Sequence, residues 1–95
     1  MSAPLRFDEI ARELQTGREI EFTFDGKHYS ITNNSSGRWC LCVDTNAGSF
    51  LLEDLCPFGQ LELLTTKIAD TVLEGVTIRT IFDELLYDPS SLWIL

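Results

Sequence analysis

The dipeptide Asp25-Gly26 constrains this chain more than any other pair of residues. It lies between two stretches of alternating side chains, Glu19-Ile-Glu-Phe-Thr-Phe24 and Lys27-His-Tyr-Ser-Ile31. Both central residues of a two-residue type I′ turn must take positive φ, which glycine adopts freely and aspartate adopts more readily than most residues. Such a short loop sets the register: Phe24 faces Lys27, Phe22 faces Tyr29 and Ile20 faces Ile31. The same register gathers Ile20, Phe22, Tyr29 and Ile31 on one face and Glu21, Thr23, His28 and Ser30 on the other. Turn chemistry and hydrophobic pattern therefore point independently to one hairpin.

Around it the pattern changes period. Phe7, Ile10, Ala11 and Leu14 recur at i, i+3, i+4 and i+7, predicting a helix over Leu5–Gln15 that stops at Gly17. After a polar loop, Asn33–Gly37, the segment Arg38–Val43 reads as a strand with Trp39, Leu41 and Val43 on one face. Asp44–Gly48 turns the chain. Ser49–Glu53 is a candidate fourth strand, and Cys56-Pro57 is expected to break regular structure. Leu61, Leu64, Ile68 and Val72 predict a helix of about 14 residues ending near Gly75. Thr77 is the expected N-cap of a further helix with Ile78, Ile81, Phe82 and Leu85 as its stripe, ended by Asp88-Pro89. The apolar end, Ser90–Leu95, is either a final strand or a segment that docks on a second copy or a partner. The expectation is a single α+β domain over 1–95: an N-terminal helix, a mostly antiparallel sheet of three to five strands, and two C-terminal helices on one face.

Charge narrows the partners. The chain carries 15 Asp+Glu against 7 Lys+Arg, a formal net charge of −8 in 95 residues. That surplus argues against nucleic acid, which is held by Lys and Arg. No apolar run reaches the roughly 18 residues of a membrane span. The N-terminal residues have neither the basic nor the apolar region of a secretory signal, so the expected location is cytoplasmic. Three cysteines, Cys40, Cys42 and Cys56, fit free thiols in a reducing compartment. The acidity is uneven: residues 1–43 hold six acids and five bases, whereas residues 44–95 hold nine acids and two bases. Glu53, Asp54, Glu62, Asp70, Glu74, Asp83, Glu84 and Asp88 are thus candidate contacts for a basic partner, set against the plainer role of keeping a small domain soluble.

Catalytic and metal motifs are weak. Gly-x-Ser-x-Gly, His-Glu-x-x-His, the P-loop and Gly-x-Gly-x-x-Gly do not occur. His28 with Cys40, Cys42 and Cys56 makes a nominal Cys₃His set, but Cys-x-Cys on a strand is not a zinc-knuckle spacing. His28 with one cysteine is the remaining arrangement for a small enzyme, and no nucleophile motif surrounds any cysteine. Asp44-x-Asn46-x-Gly48 echoes the start of a calcium loop without its later glutamate, and reads as a turn. The expectation is no cofactor, no metal and no catalysis.

Phe7-Asp8-Glu9, Leu14, Gly17-Arg-Glu-Ile-Glu-Phe22, Gly26-Lys27 and Tyr29-Ser-Ile31 resemble a group of small uncharacterised proteins of Gram-positive bacteria and their phages. Their pattern is a helix, a Gly-Arg-Glu-Ile-Glu-Phe strand, a Gly-Lys turn, a Tyr-Ser-Ile strand and a closing helix such as Thr77–Leu86. The resemblance covers the first third of the chain well. The Cys40/Cys42 strand and the Leu61–Val72 helix depart from it. It implies no functional residue, because the group carries no assigned activity. The function expected is an acidic protein-binding module, in one form an inhibitor encoded by a phage or mobile element and aimed at a basic host or defence protein. The alternative is a structural domain that self-associates through Leu92, Trp93, Ile94 and Leu95.

Overall fold

The structure, a computed structural model, describes residues 4–95. The chain runs α1 (Phe7–Gln15), β1 (Ile20–Phe24), β2 (Lys27–Asn33), β3 (Arg38–Thr45), β4 (Gly48–Pro57), α2 (Leu61–Asp70), β5 (Val72–Leu73), β6 (Val76–Thr77), α3 (Ile78–Asp83) and β7 (Asp88–Ile94). Five strands form an antiparallel sheet in the order β4-β3-β2-β1-β7, and β5 and β6 form a separate two-stranded ribbon. This is an α+β fold with the helices packed against the sheet.

The β1–β2 hairpin has the expected register, with Ile20 opposite Ile31, Phe22 opposite Tyr29 and Phe24 opposite Lys27. Asp25 and Gly26 both take positive φ, 52° and 75°, as the tight turn requires. Helix α1 buries Phe7, Ile10 and Leu14. It ends as foreseen: the Gly17 N–H bonds the Leu14 carbonyl and the Arg18 N–H bonds the Glu13 carbonyl, the paired bonds of a glycine-terminated helix. Thr77 caps α3 by accepting the Thr80 N–H.

The core lies between the sheet and the helices. Phe22 stacks on Tyr29 at 5.6 Å and meets Phe82 edge-on at 5.0 Å, and Phe82 leans on Tyr87 at 4.5 Å. Tyr87 reaches across the fold: its hydroxyl accepts the Leu5 N–H and donates to the Leu5 carbonyl, both at 2.8 Å. Each fully buried large side chain of this set is worth roughly 1.5–3 kcal/mol of transfer free energy.

Three expectations need correction. The helix from Leu61 stops at Asp70, not near Gly75. Thr71 leaves the helix with an extended backbone, φ −70° and ψ 133°, while its hydroxyl donates to the Lys67 carbonyl. Val72 therefore belongs to the β5–β6 ribbon, which turns at Glu74 and Gly75, both at positive φ. Cys56-Pro57 does not break the strand. β4 continues through it because an edge strand needs no N–H from its last residue. The helix after Thr77 ends at Asp83, and Asp88-Pro89 opens β7 instead of closing that helix. Ser90–Leu95 takes the first of its two expected forms, a final strand: Ile94 pairs with Ile20, Trp93 pairs with Glu21 and the Leu95 N–H bonds the Glu19 carbonyl.

Candidate functional site

Among the described residues the β4 strand is one free edge of the sheet, and its run Phe50–Leu52 is apolar on both faces. Phe50, Leu51 and Leu52 are 49%, 62% and 48% exposed. From Gly48 to Leu51 the strand pairs in unbroken register with Thr45 to Cys42. Irregularities follow, between Cys42 and Leu41 and again between Cys40 and Trp39 of the partner strand. At the far end β4 is anchored by Trp39, whose ring stacks on Phe58 at 5.4 Å and whose Nε1–H donates to the Phe58 carbonyl.

Beside this edge, the early end of α2 leaves a cleft of about 620 Å³ between β4 and the α2–β5 junction. Leu41, Leu52, Val72 and Leu73 form its apolar surfaces, and Glu53, Lys67 and Asp70 form its charged rim. Lys67 spends its amine on the Leu55 carbonyl at 2.6 Å. Glu53 Oε2 lies 3.2 Å from the Thr71 hydroxyl oxygen, whose shorter bond is to the Lys67 carbonyl. A smaller hollow of about 210 Å³ adjoins it through Leu52, Val72 and Leu73, and is bordered by Tyr29, Lys27 and Glu74.

The eight acids named from sequence do not form one surface. Glu53 and Asp70 converge on the cleft, with Glu74 on the adjoining hollow. Glu74 pairs with Lys27, and that pairing holds the lysine's pKa above its ordinary value. Asp54 pairs with Arg38 at 2.8 Å. Asp83 works inside the fold, its carboxylate accepting the Phe7 N–H at the start of α1. Asp88 accepts the Ser90 N–H and hydroxyl. Glu62 lies in the first turn of α2 and Glu84 at the C-terminal cap of α3, away from the cleft lining. Of the C-terminal segment, Trp93 and Leu95 are exposed while Leu92 packs on the core.

On the opposite face of the sheet, the His28 ring bridges two hydrogen-bonding groups. Its Nδ1 lies 3.2 Å from the Thr23 hydroxyl and its Nε2 lies 2.9 Å from Glu21 Oε1, with Asp44 Oδ2 at 3.9 Å. A hydroxyl–imidazole–carboxylate chain can relay a proton. Neither hollow described above includes His28.

The cysteines divide between the two faces. Cys56 is buried in the core opposite Trp39, whereas Cys40 and Cys42 lie on the far face with their sulfurs 3.9 Å apart. The Cys₃His set is therefore split by the sheet. Burial, with Cys42 beside it, pushes the Cys40 thiol up to about 11, and burial raises Cys56 as well. Both thiols stay protonated near neutral pH, which makes them weak nucleophiles.

Sequence reasoning missed Phe50–Leu52 as a surface and Val72 as a cleft wall. The one available signal was that Phe50-Leu51-Leu52 does not alternate, so an apolar side chain had to face outward on either face. Among the described residues no helix is long and apolar enough to cross a membrane. Compared with protein families, curated proteins and solved structures, the chain finds no match in any of the three.

Proposed function

We propose that this chain is a non-catalytic protein-binding domain whose β4 edge takes an extended, basic and apolar segment of another protein. The observation that carries this reading is the exposed run Phe50-Leu51-Leu52 on a free sheet edge, directly beside the cleft rimmed by Glu53 and Asp70. Strand addition draws affinity from main-chain hydrogen bonds and specificity from pockets for alternate side chains. The cleft is large enough for an apolar side chain of the added strand. Glu53 and Asp70 outnumber Lys67 on the rim and favour a basic neighbour to that side chain. The excess of nine acids over two bases after Val43 adds long-range attraction for such a partner. The three free thiols suit a reducing, cytoplasmic setting. An inhibitor of a basic host or defence protein, encoded by a phage or mobile element, is one form of this reading.

The test is a short synthetic peptide alternating lysine with valine, titrated against isotope-labelled protein beside its glutamate counterpart. The lysine peptide is expected to move the amide signals of residues 48–54 and 66–73, and Asp70→Lys is expected to abolish that response. Equal binding of both peptides, or shifts confined to other strands, overturns the reading.

A second reading, self-association through the C-terminal segment, draws on Trp93, which is 62% exposed, and on Leu95. Light scattering separates the two: a dimer that Trp93→Ser dissolves favours self-association.

A further inference from the structure

We propose that Glu21, His28 and Asp44 form a site for a divalent transition ion of the zinc type, on the sheet face that the helices leave uncovered. The three residues come from three adjacent strands. Thr23 is paired with His28 and His28 with Asp44, and Glu21 stands two residues along β1 on the same face. Their ligand atoms all lie within 4.8 Å of one another. A tetrahedral zinc site with bonds of about 2.0–2.2 Å separates its ligand atoms by roughly 3.3–3.6 Å. The observed 2.9 Å and 3.9 Å from His28 Nε2 bracket that range, so small side-chain rotations bring all three onto one ion.

The chemistry of the donors selects the ion. Imidazole nitrogen suits zinc and its neighbours, and the two carboxylates supply the charge that a divalent ion needs. The ring is also oriented for the task. To coordinate through Nε2, His28 must carry its proton on Nδ1, and Nδ1 has the Thr23 hydroxyl at 3.2 Å as acceptor. An outer partner of this kind fixes the tautomer and raises the basicity of the metal-bound nitrogen. All three ligands are partly exposed, between 32% and 44%. An ion can therefore enter from solvent and keep a fourth, open position for water or a ligand. Because the ligands stand on paired strands of one sheet, their backbones are held without the metal. No spacing motif announces the site, since its members lie on three strands that only the fold brings side by side.

The competing state is the metal-free cluster, with His28 Nε2 hydrogen-bonded to Glu21, and zinc titration distinguishes the two. This chain has one histidine, so its ring carbon-bound protons report a single site by NMR. The nearby Cys40 and Cys42 thiols are the other zinc-binding groups on this face, so the titration is run on the native chain and on the Cys40→Ser/Cys42→Ser variant. With zinc chloride near neutral pH, both proteins are expected to bind one ion per chain and to show a saturable shift of the His28 ring. Calorimetry is expected to show weakening of about tenfold for Thr23→Val, which removes only the outer partner, and a larger loss for His28→Ala and Glu21→Gln. Magnesium is expected to leave the ring unmoved. An unshifted His28 ring at millimolar zinc overturns the proposal. So does one-to-one binding that survives both His28→Ala and Glu21→Gln but vanishes in the cysteine variant.

Discussion

β4 and β7 are both edge strands of one sheet, and they expose their backbones in opposite ways. β7 interrupts its own ladder in its first half. Pro89 has no N–H to offer, Asp88 holds the Ser90 N–H at 3.0 Å, and the Ser91 hydroxyl accepts the Thr23 N–H at 2.8 Å. The pairing with β1 is irregular between Glu21 and Thr23. These are the devices by which edge strands avoid adding another strand. β4 has them only in its second half, where two register shifts, Glu53, Asp54 and Pro57 interrupt the edge. Its first half, Gly48–Leu51, is regular and open, and apolar at Phe50 and Leu51. Protection against unwanted pairing is thus local, and the stretch left unprotected is the one beside a cleft.

Deleting residues 90–95 is the harshest test of that contrast. The deletion removes Ile94 from Ile20 and strips Leu92 from the core, uncovering β1 along the side where Phe22 sits. A domain of this size holds only about 5–15 kcal/mol of stability. The truncated chain is expected to lose its cooperative thermal transition by circular dichroism. A truncated chain that melts near the native temperature makes β7 an accessory strand, and the two edges then differ less than the hydrogen bonds indicate.

The next largest effect is at the anchored end of β4. Trp39→Ala is expected to cost about 3–5 kcal/mol in urea unfolding, because it empties a fully buried site and frees Phe58. Trp39→Phe keeps a ring against Phe58 but loses the bond to its carbonyl and part of the buried indole volume, so a smaller cost of about 1–3 kcal/mol is expected. Equal costs for the two variants would place the anchor in what the indole alone supplies, its second ring and its N–H bond, and not in the stacking on Phe58.

Alkaline pH probes the β3–β4 junction from the other face. Cys40 stands opposite Asp54 on β4, and its thiol is raised to about 11, burial being the largest cause and Cys42 the next. A group whose folded pKa is raised favours the folded state while protonated. The Cys40 contribution is therefore fully present below the ordinary thiol value and is lost as pH climbs from about 9 towards about 11. Melting temperatures are expected to fall across that window. Cys40→Ala is expected to show a shallower fall, with the remaining slope due to Cys56, Tyr29 and Tyr87, whose side chains burial also holds above their usual values.

What the sequence made legible follows the same physical division. The β1–β2 hairpin could be read to the residue because Asp25-Gly26 names its turn and the flanking pattern agrees with it. The β5–β6 ribbon has the same backbone solution, positive φ at Glu74 (49°) and Gly75 (82°), but glutamate does not announce it. Leu61, Leu64, Ile68 and Val72 also keep helical spacing through the point where Thr71 leaves the helix. Local periodicity cannot register that exit, and the exit is what opens the cleft. The His28 cluster was hidden for another reason. Glu21 and Thr23 could be set on the His28 face from the hairpin alone, but Asp44 joins them through β2–β3 pairing, across a loop whose length carries no register signal.

The smallest expected effect on stability carries the most information about the open edge. Leu51 is 62% exposed and faces away from the helices, opposite Cys42. Leu51→Lys removes no buried contact, so its effect on stability is expected to stay within about 0.5 kcal/mol. Its effect on pairing is expected to be large, since an edge lysine must be desolvated or repelled when a basic strand is laid beside it. The measurement is binding of the lysine–valine peptide to Leu51→Lys and, for comparison, to Ser90→Lys on β7, with melting curves for both. Binding is expected to fail for Leu51→Lys alone while both variants melt like the native chain. If the two substitutions weaken binding equally, the partner reads the overall charge of the domain, and the difference between its two edges has no role in recognition.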